Sequence, residues 1–197
     1  TRRIYAPGLN NGDPNSSPSS KNTHAIMGPN GLFKVHNIGL PLLLAIPFKI
    51  GGVQGCKAFM ILNGGFIVFL IWRIISSIFP QENIKFLAFL PLAISNPLIF
   101  ASNQIYPEFP AASISLIGIY WLVLERKRVL LKRNIDWFTF ISISFLPWLH
   151  IKYSVTLIIL VSLMVFSLIR FNKHKKRLVY LFIPIFFSCL ILTLYNY

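Results

Sequence analysis

Acidic residues are scarce in this chain. Only five (Asp13, Glu82, Glu108, Glu125 and Asp136) stand against nineteen Lys and Arg, for a formal charge of +14. Charged residues of both signs make up 12% of the 197 positions, while hydrophobic residues make up 55%. That leaves too little polar surface to coat a soluble globule, so a water-soluble domain is excluded and a bilayer is the expected solvent. An excess of cations can mark a nucleic-acid binder, but here the cations cluster in the breaks between apolar runs. Loops facing anionic lipid have that pattern, so nucleic acid is not an expected partner. Cysteine is scarce as well. Cys56 and Cys189 lie in separate apolar segments without a CxxC or a paired His, which reads as packing thiols rather than a zinc site or a disulfide framework. The chain lacks a phosphate-cradling Gly-rich loop, a GxSxG elbow and zinc-ligand spacing, so soluble nucleotide or hydrolase chemistry has no foothold. No cofactor or metal is expected from ligand spacing, and a divalent ion stays open.

What is present is a set of membrane-length apolar runs. Residues 1–32 are polar and rich in Pro, Gly, Asn and Ser, with NNGDPNSSPSSKN at 10–22 as the densest turn material. Residues 1–37 therefore read as a water-exposed loop segment, 38–52 as a separate short element and 53–197 as a transmembrane bundle. Apolar runs at about 58–72, 86–102, 107–124, 137–149, 153–169 and 178–194 predict an all-α polytopic bundle of about six spans, some short of the roughly 20 residues of an untilted crossing. Residue 1 is Thr and the last apolar run stops at Tyr197; the expectation is a piece of a longer membrane protein, incomplete at both ends.

Cations orient the spans. Counting alternate loops, twelve Lys and Arg between Arg73 and Arg177 fall on one side, and the short loops opposite hold only Lys152. The positive-inside rule puts the twelve in the cytoplasm, facing anionic lipid. The segment 102–107, the turn at His150 to Lys152 and the N-terminal segment then lie outside. The parity holds only if residues 39–50 do not cross. That stretch contains Pro41 and Pro47 and ends at Gly51 and Gly52, which suits a re-entrant or membrane-surface helix.

Six residues are candidates for binding a substrate. Glu108 follows Tyr106 and Pro107 in QIYPEFPAA. Proline suits the first turn of a helix, and an anion is favoured near a helix N-terminus. Its ordinary role is an interfacial cap; its functional role is a ligand for a polar substrate, because an ionisable group at such a boundary marks a site by default. Lys152 lies in LPWLHIKYSV beside His150 and Tyr153. A snorkelling lysine in an aromatic belt is the ordinary reading. Pro147, however, ends the preceding span early, and a lysine at that lip suits a phosphate as a point charge. His36, at the start of VHNIGLPLLL, has no HxH or HExxH partner and is more often structural than a ligand.

The order of these features, TRRIYAPGL, NGLFKVHNIGLPLLLAIPFKIGG, WRIISSIF, PLAISNPLIFASNQIYPEFPAA and LPWLHIKYSV, resembles the polytopic membrane glycosyltransferases of the GT-C superfamily. The likeness runs from about residue 2 to about 170, toward the bacterial branch related to protein mannosyltransferases and aminoarabinose transferases. The resemblance implies transfer of a sugar from a polyprenyl-phosphate donor to an acceptor on the extracytoplasmic face of the bacterial inner membrane. It implies a membrane-surface helix at 38–52, a sugar-site acid at Glu108 and a phosphate contact at Lys152. It also places the principal catalytic acid in a first external loop ahead of Thr1, so the chain alone is expected to be inactive. Asp13 matches no motif of that loop. Two other classes stay open: a transporter or flippase using Glu108 and Lys152 as substrate groups, and a non-catalytic membrane scaffold.

Overall fold

The computed structural model describes residues 25–28, 31–34, 37–95, 98, 104–126, 133–170 and 175–196. The chain divides into two compact units, Thr1–Asn37 and Ile38–Tyr197. The first holds a hairpin of β1 (Ala25–Gly28) and β2 (Gly31–Lys34), antiparallel with Ala25 opposite Lys34 and Gly28 opposite Gly31. This small ribbon is an addition to the all-helical expectation. Its signal was the Pro-Asn pair between two glycines at 28–31, turn chemistry set between two short apolar runs.

The second unit is helical: α1 (Gly39–Ile78), α2 (Glu82–Ala93), α3 (Glu108–Arg126), α4 (Arg133–Ser144), α5 (Leu146–Leu149), α6 (Tyr153–Arg170) and α7 (Lys175–Asn196). Among the described residues, four helices are long and apolar enough to cross a membrane: α1, α3, α6 and the Arg177–Leu194 part of α7. The chain is a membrane protein.

α1 is broken where the glycine pair predicted. Gly51 sits at φ −135°, ψ 18° and Gly52 at φ 56°, ψ −141°, the second a conformation open to glycine and strained for any residue with a Cβ. The chain doubles back there. Cys56 Sγ lies 4.0 Å from the Leu44 carbonyl, twelve residues earlier, where a straight helix would separate them by about 18 Å. A Cβ on Gly55 would stand 2.1 Å from the Pro47 carbonyl oxygen, so the absence of a side chain at 55 lets the two arms touch. The start of the first arm meets α5, with the Gly39 Cβ position 2.4 Å from the Trp148 carbonyl.

Two of the six expected spans are shorter than a crossing among the described residues. The run from 86 ends as a helix at Ala93, after Pro91, with Ile94 turned to φ −99°, ψ 10°. The run at 137–149 is divided. Pro147 has no N–H to give the Ile143 carbonyl, and the backbone tightens into three-residue turns, Phe145 N–H to Ser142 O at 3.1 Å and Trp148 N–H to Phe145 O at 3.0 Å.

Helix packing follows small and polar residues. α3 runs parallel to the long arm of α1, held by Ser113 donating to Asn63 near one end and Arg73 to the Tyr120 hydroxyl at 3.0 Å near the other. Such interhelical hydrogen bonds and small contact residues replace the hydrophobic drive that lipid removes. Gly118 lets α3 approach Leu160 of α6 and Ile143 of α4. Around this contact, the fully buried Trp121, Phe140, Leu146 and Met164 form the main core, while Met60, Ile67 and Phe109 join α1 to α3. Phe69, Ile158, Phe166 and Phe186 face outward, as lipid contact allows.

Candidate functional site

α3 and α6 run in parallel, Gly118 packing on Leu160, and this brings their N-termini to one end of the bundle. Glu108 is the first residue of α3, with the Ala111 N–H bonded to the Pro107 carbonyl at 3.1 Å. Lys152 ends the turn between α5 and α6. That turn is tied by its own backbone, Tyr153 N–H to His150 O and Ser154 N–H to Ile151 O, both 3.0 Å. The His150 ring reinforces it, its Nδ1 accepting from the Lys152 backbone N–H at 3.2 Å.

Across the two helix ends, Lys152 Nζ donates to Glu108 Oε1 at 2.6 Å, with 50% and 53% of the two side chains exposed. At that exposure the pair adds little to stability, and both groups remain within reach of a ligand. Its hydrogen bond to Glu108 raises the Lys152 pKa above the ordinary 10.5, so the ammonium is present throughout the neutral range. The Tyr153 ring lies 5.1 Å from Nζ. Its hydroxyl is shut off from solvent and has no hydrogen-bond partner among the described residues.

Of the six sequence candidates, Glu108, Lys152 and Tyr153 meet directly. His150 shapes the turn, with its ring edge-on to Tyr153 at 6.3 Å. Tyr106 is exposed just ahead of Pro107. His36 lies outside the described residues. Chemically the cluster offers one mobile cation, one carboxylate and one buried phenol, a set that can hold an anionic oxygen and hydrogen-bond a hydroxyl.

The opposite end holds a charged group that sequence reasoning missed. Arg177 of α7 reaches Asp136 of α4 through Nε at 2.8 Å and Nη2 at 3.1 Å, and Glu125 of α3 through Nη1 at 3.0 Å. The indole N–H of Trp121 adds 2.8 Å to Asp136 Oδ1. Only 12% of the Arg177 side chain is exposed, 4% of Glu125 and 2% of Asp136. Arg177 reads in sequence as one more loop cation. The available signal was the scarcity of acids: two of five flank one basic stretch at 126–133, where an interfacial loop needs none.

Compared with known proteins, the chain matches no family model, no curated protein and no solved structure.

Proposed function

We propose that this chain is part of an integral membrane glycosyltransferase that moves a sugar from a polyprenyl-phosphate donor to an extracytoplasmic acceptor. The observation that carries the reading is the Glu108 to Lys152 pair, 2.6 Å apart and half-exposed at one end of an apolar bundle. Transfer from a lipid phosphate needs cationic stabilisation of the leaving phosphate and carboxylates around the sugar. Lys152 is the phosphate contact, Glu108 lines the sugar site, and Tyr106, Tyr153 and His150 border it. The activating carboxylate belongs to the first external loop, which the GT-C pattern puts ahead of Thr1. The donor's isoprenoid tail runs in lipid along the helices. In this reading the end bearing Arg73, Arg126 and Arg170 is cytoplasmic and meets anionic lipid head groups.

In the full-length enzyme, Lys152→Ala should lower use of a polyprenyl-phosphate sugar by roughly ten- to a hundredfold, the value of a hydrogen bond to a charged group, with membrane insertion unchanged. Transfer at the wild-type rate would remove Lys152 from the mechanism. Orientation is checked by impermeant thiol labelling in intact cells: Asn103→Cys should react and Asn134→Cys should not. The broken helix at Gly51 and Gly52 favours one other reading, a transporter with a discontinuous helix. There, Lys152→Ala would alter substrate uptake in proteoliposomes, with no sugar transfer by the full-length wild type.

A further inference from the structure

Building on that reading of Lys152 as the phosphate contact, we propose that Glu108 is a built-in competitor for Lys152. An arriving phosphate takes the ammonium, and the Tyr153 hydroxyl then takes the carboxylate that the lysine leaves. Tyr153 is thus a positioning residue that swings Glu108 from lysine partner to sugar ligand.

Three observations support the exchange. Lys152 is joined to Glu108 through one carboxylate oxygen, Oε1, and both side chains are half-exposed, so an anion can reach Nζ without opening the bundle. Lysine is a point charge on a flexible four-carbon stem, able to trade one oxyanion for another over a short distance. The Tyr153 hydroxyl is buried without a hydrogen bond, a state that folded proteins seldom leave unexplained. It lies within electrostatic and hydrogen-bonding reach of both Glu108 and Lys152, on the first residue of α6, whose backbone is fixed by the turn at 150–152. In the resting state, the Tyr153 ring lies 5.1 Å from Nζ, and its hydroxyl stands near both charged groups without a bond of full hydrogen-bond geometry to either. Once the ammonium turns to phosphate, Glu108 loses its donor beside a phenol that has none to serve. The hydroxyl donates to one carboxylate oxygen and leaves the other for a sugar hydroxyl.

The test is a double-mutant cycle in neutral-lipid nanodiscs, titrating the chain with inorganic phosphate in one arm and farnesyl phosphate in the other. Glu108→Gln should tighten phosphate binding by up to about fivefold, the ceiling for a half-exposed ion pair. Tyr153→Phe should weaken it by about three- to tenfold in the wild-type background, and have no effect in the Glu108→Gln background, where no carboxylate needs rescue. A merely structural tyrosine would act equally in both. In the full-length enzyme Glu108→Gln should lower KM for the donor while lowering kcat. Unchanged or weaker phosphate binding by Glu108→Gln, or equal effects of Tyr153→Phe in both backgrounds, overturns the exchange. Lys152→Ala separates the two claims: if it leaves phosphate binding intact the functional reading fails, and if it abolishes binding while Glu108→Gln changes nothing, only the exchange fails. Tighter binding of farnesyl phosphate than of inorganic phosphate identifies a lipid-borne source, and equal affinity a free anion.

Discussion

The two ends of the bundle use the same chemistry, a carboxylate beside a cation, to opposite effect. At the Arg177 end one guanidinium serves two carboxylates that are each at most 4% exposed, and an indole N–H satisfies a further lone pair. At the Lys152 end a single ammonium meets a single carboxylate oxygen, both half in water, beside an idle phenol. Burial and saturation make the first group a clamp on α3, α4 and α7, because every change leaves a charge stranded. Exposure and spare hydrogen-bonding capacity make the second available to a ligand. Arginine suits the first through its rigid fork and lysine the second through its mobile point charge.

The largest expected break of this contrast is Arg177→Met. It leaves Glu125 and Asp136 buried without their cation and should cost about 3–5 kcal/mol, read as the unfolding free energy in mixed detergent micelles. A loss below about 1 kcal/mol, the range of exposed pairs, would make the two ends equivalent.

An intermediate effect is expected at the bend that carries the first arm of α1 toward the Lys152 end. Gly55→Val places a side chain where the Pro47 carbonyl already stands, and should destabilise by about 1–3 kcal/mol through overpacking. A spin-label pair on the two arms should move apart in this variant; an unchanged separation would count against the close contact.

Smaller still, Lys152→Ala should change stability by less than about 1 kcal/mol while affecting phosphate use strongly. A stability loss matching Arg177→Met would reassign Lys152 to structure.

The smallest effect is on pH dependence. Lys152 has its folded pKa raised by the bond to Glu108, so its contribution is complete below the ordinary 10.5 and is lost as pH rises through the elevated folded value. The difference in melting temperature between wild type and Lys152→Ala should stay constant from neutral pH to about 10 and shrink above it. A difference that vanishes near neutral pH would contradict the pairing.

Much of the Lys152 end was legible in sequence because proline and glycine act locally. Pro107 marks the start of α3 and so puts Glu108 at its first turn. Pro147 divides the 137–149 run and creates the turn that presents Lys152. Gly51 and Gly52 end the first arm of α1 for a reason contained in their own φ and ψ. The length of crossings was less legible. Runs at 86–102 and 137–149 have the hydropathy of spans, yet among the described residues the helix in the first ends at Ala93 and the second is divided at Pro147, since hydropathy does not register where a missing N–H interrupts a hydrogen-bond ladder. The idle hydroxyl of Tyr153 was not legible either: a tyrosine in an aromatic belt reads the same whether its oxygen is wet or buried.

The sequence alone determined that this chain belongs to a membrane and where its helices bend, because hydrophobicity and backbone freedom are properties of each residue and its near neighbours. Only the tertiary structure decided which charges meet. Arg177 lies 41 positions from Asp136 and 52 from Glu125, and Lys152 lies 44 from Glu108. Over such separations helix packing sets both the partner and the local dielectric. That packing buries one group of charges as a clamp and leaves the other half-exposed to solvent.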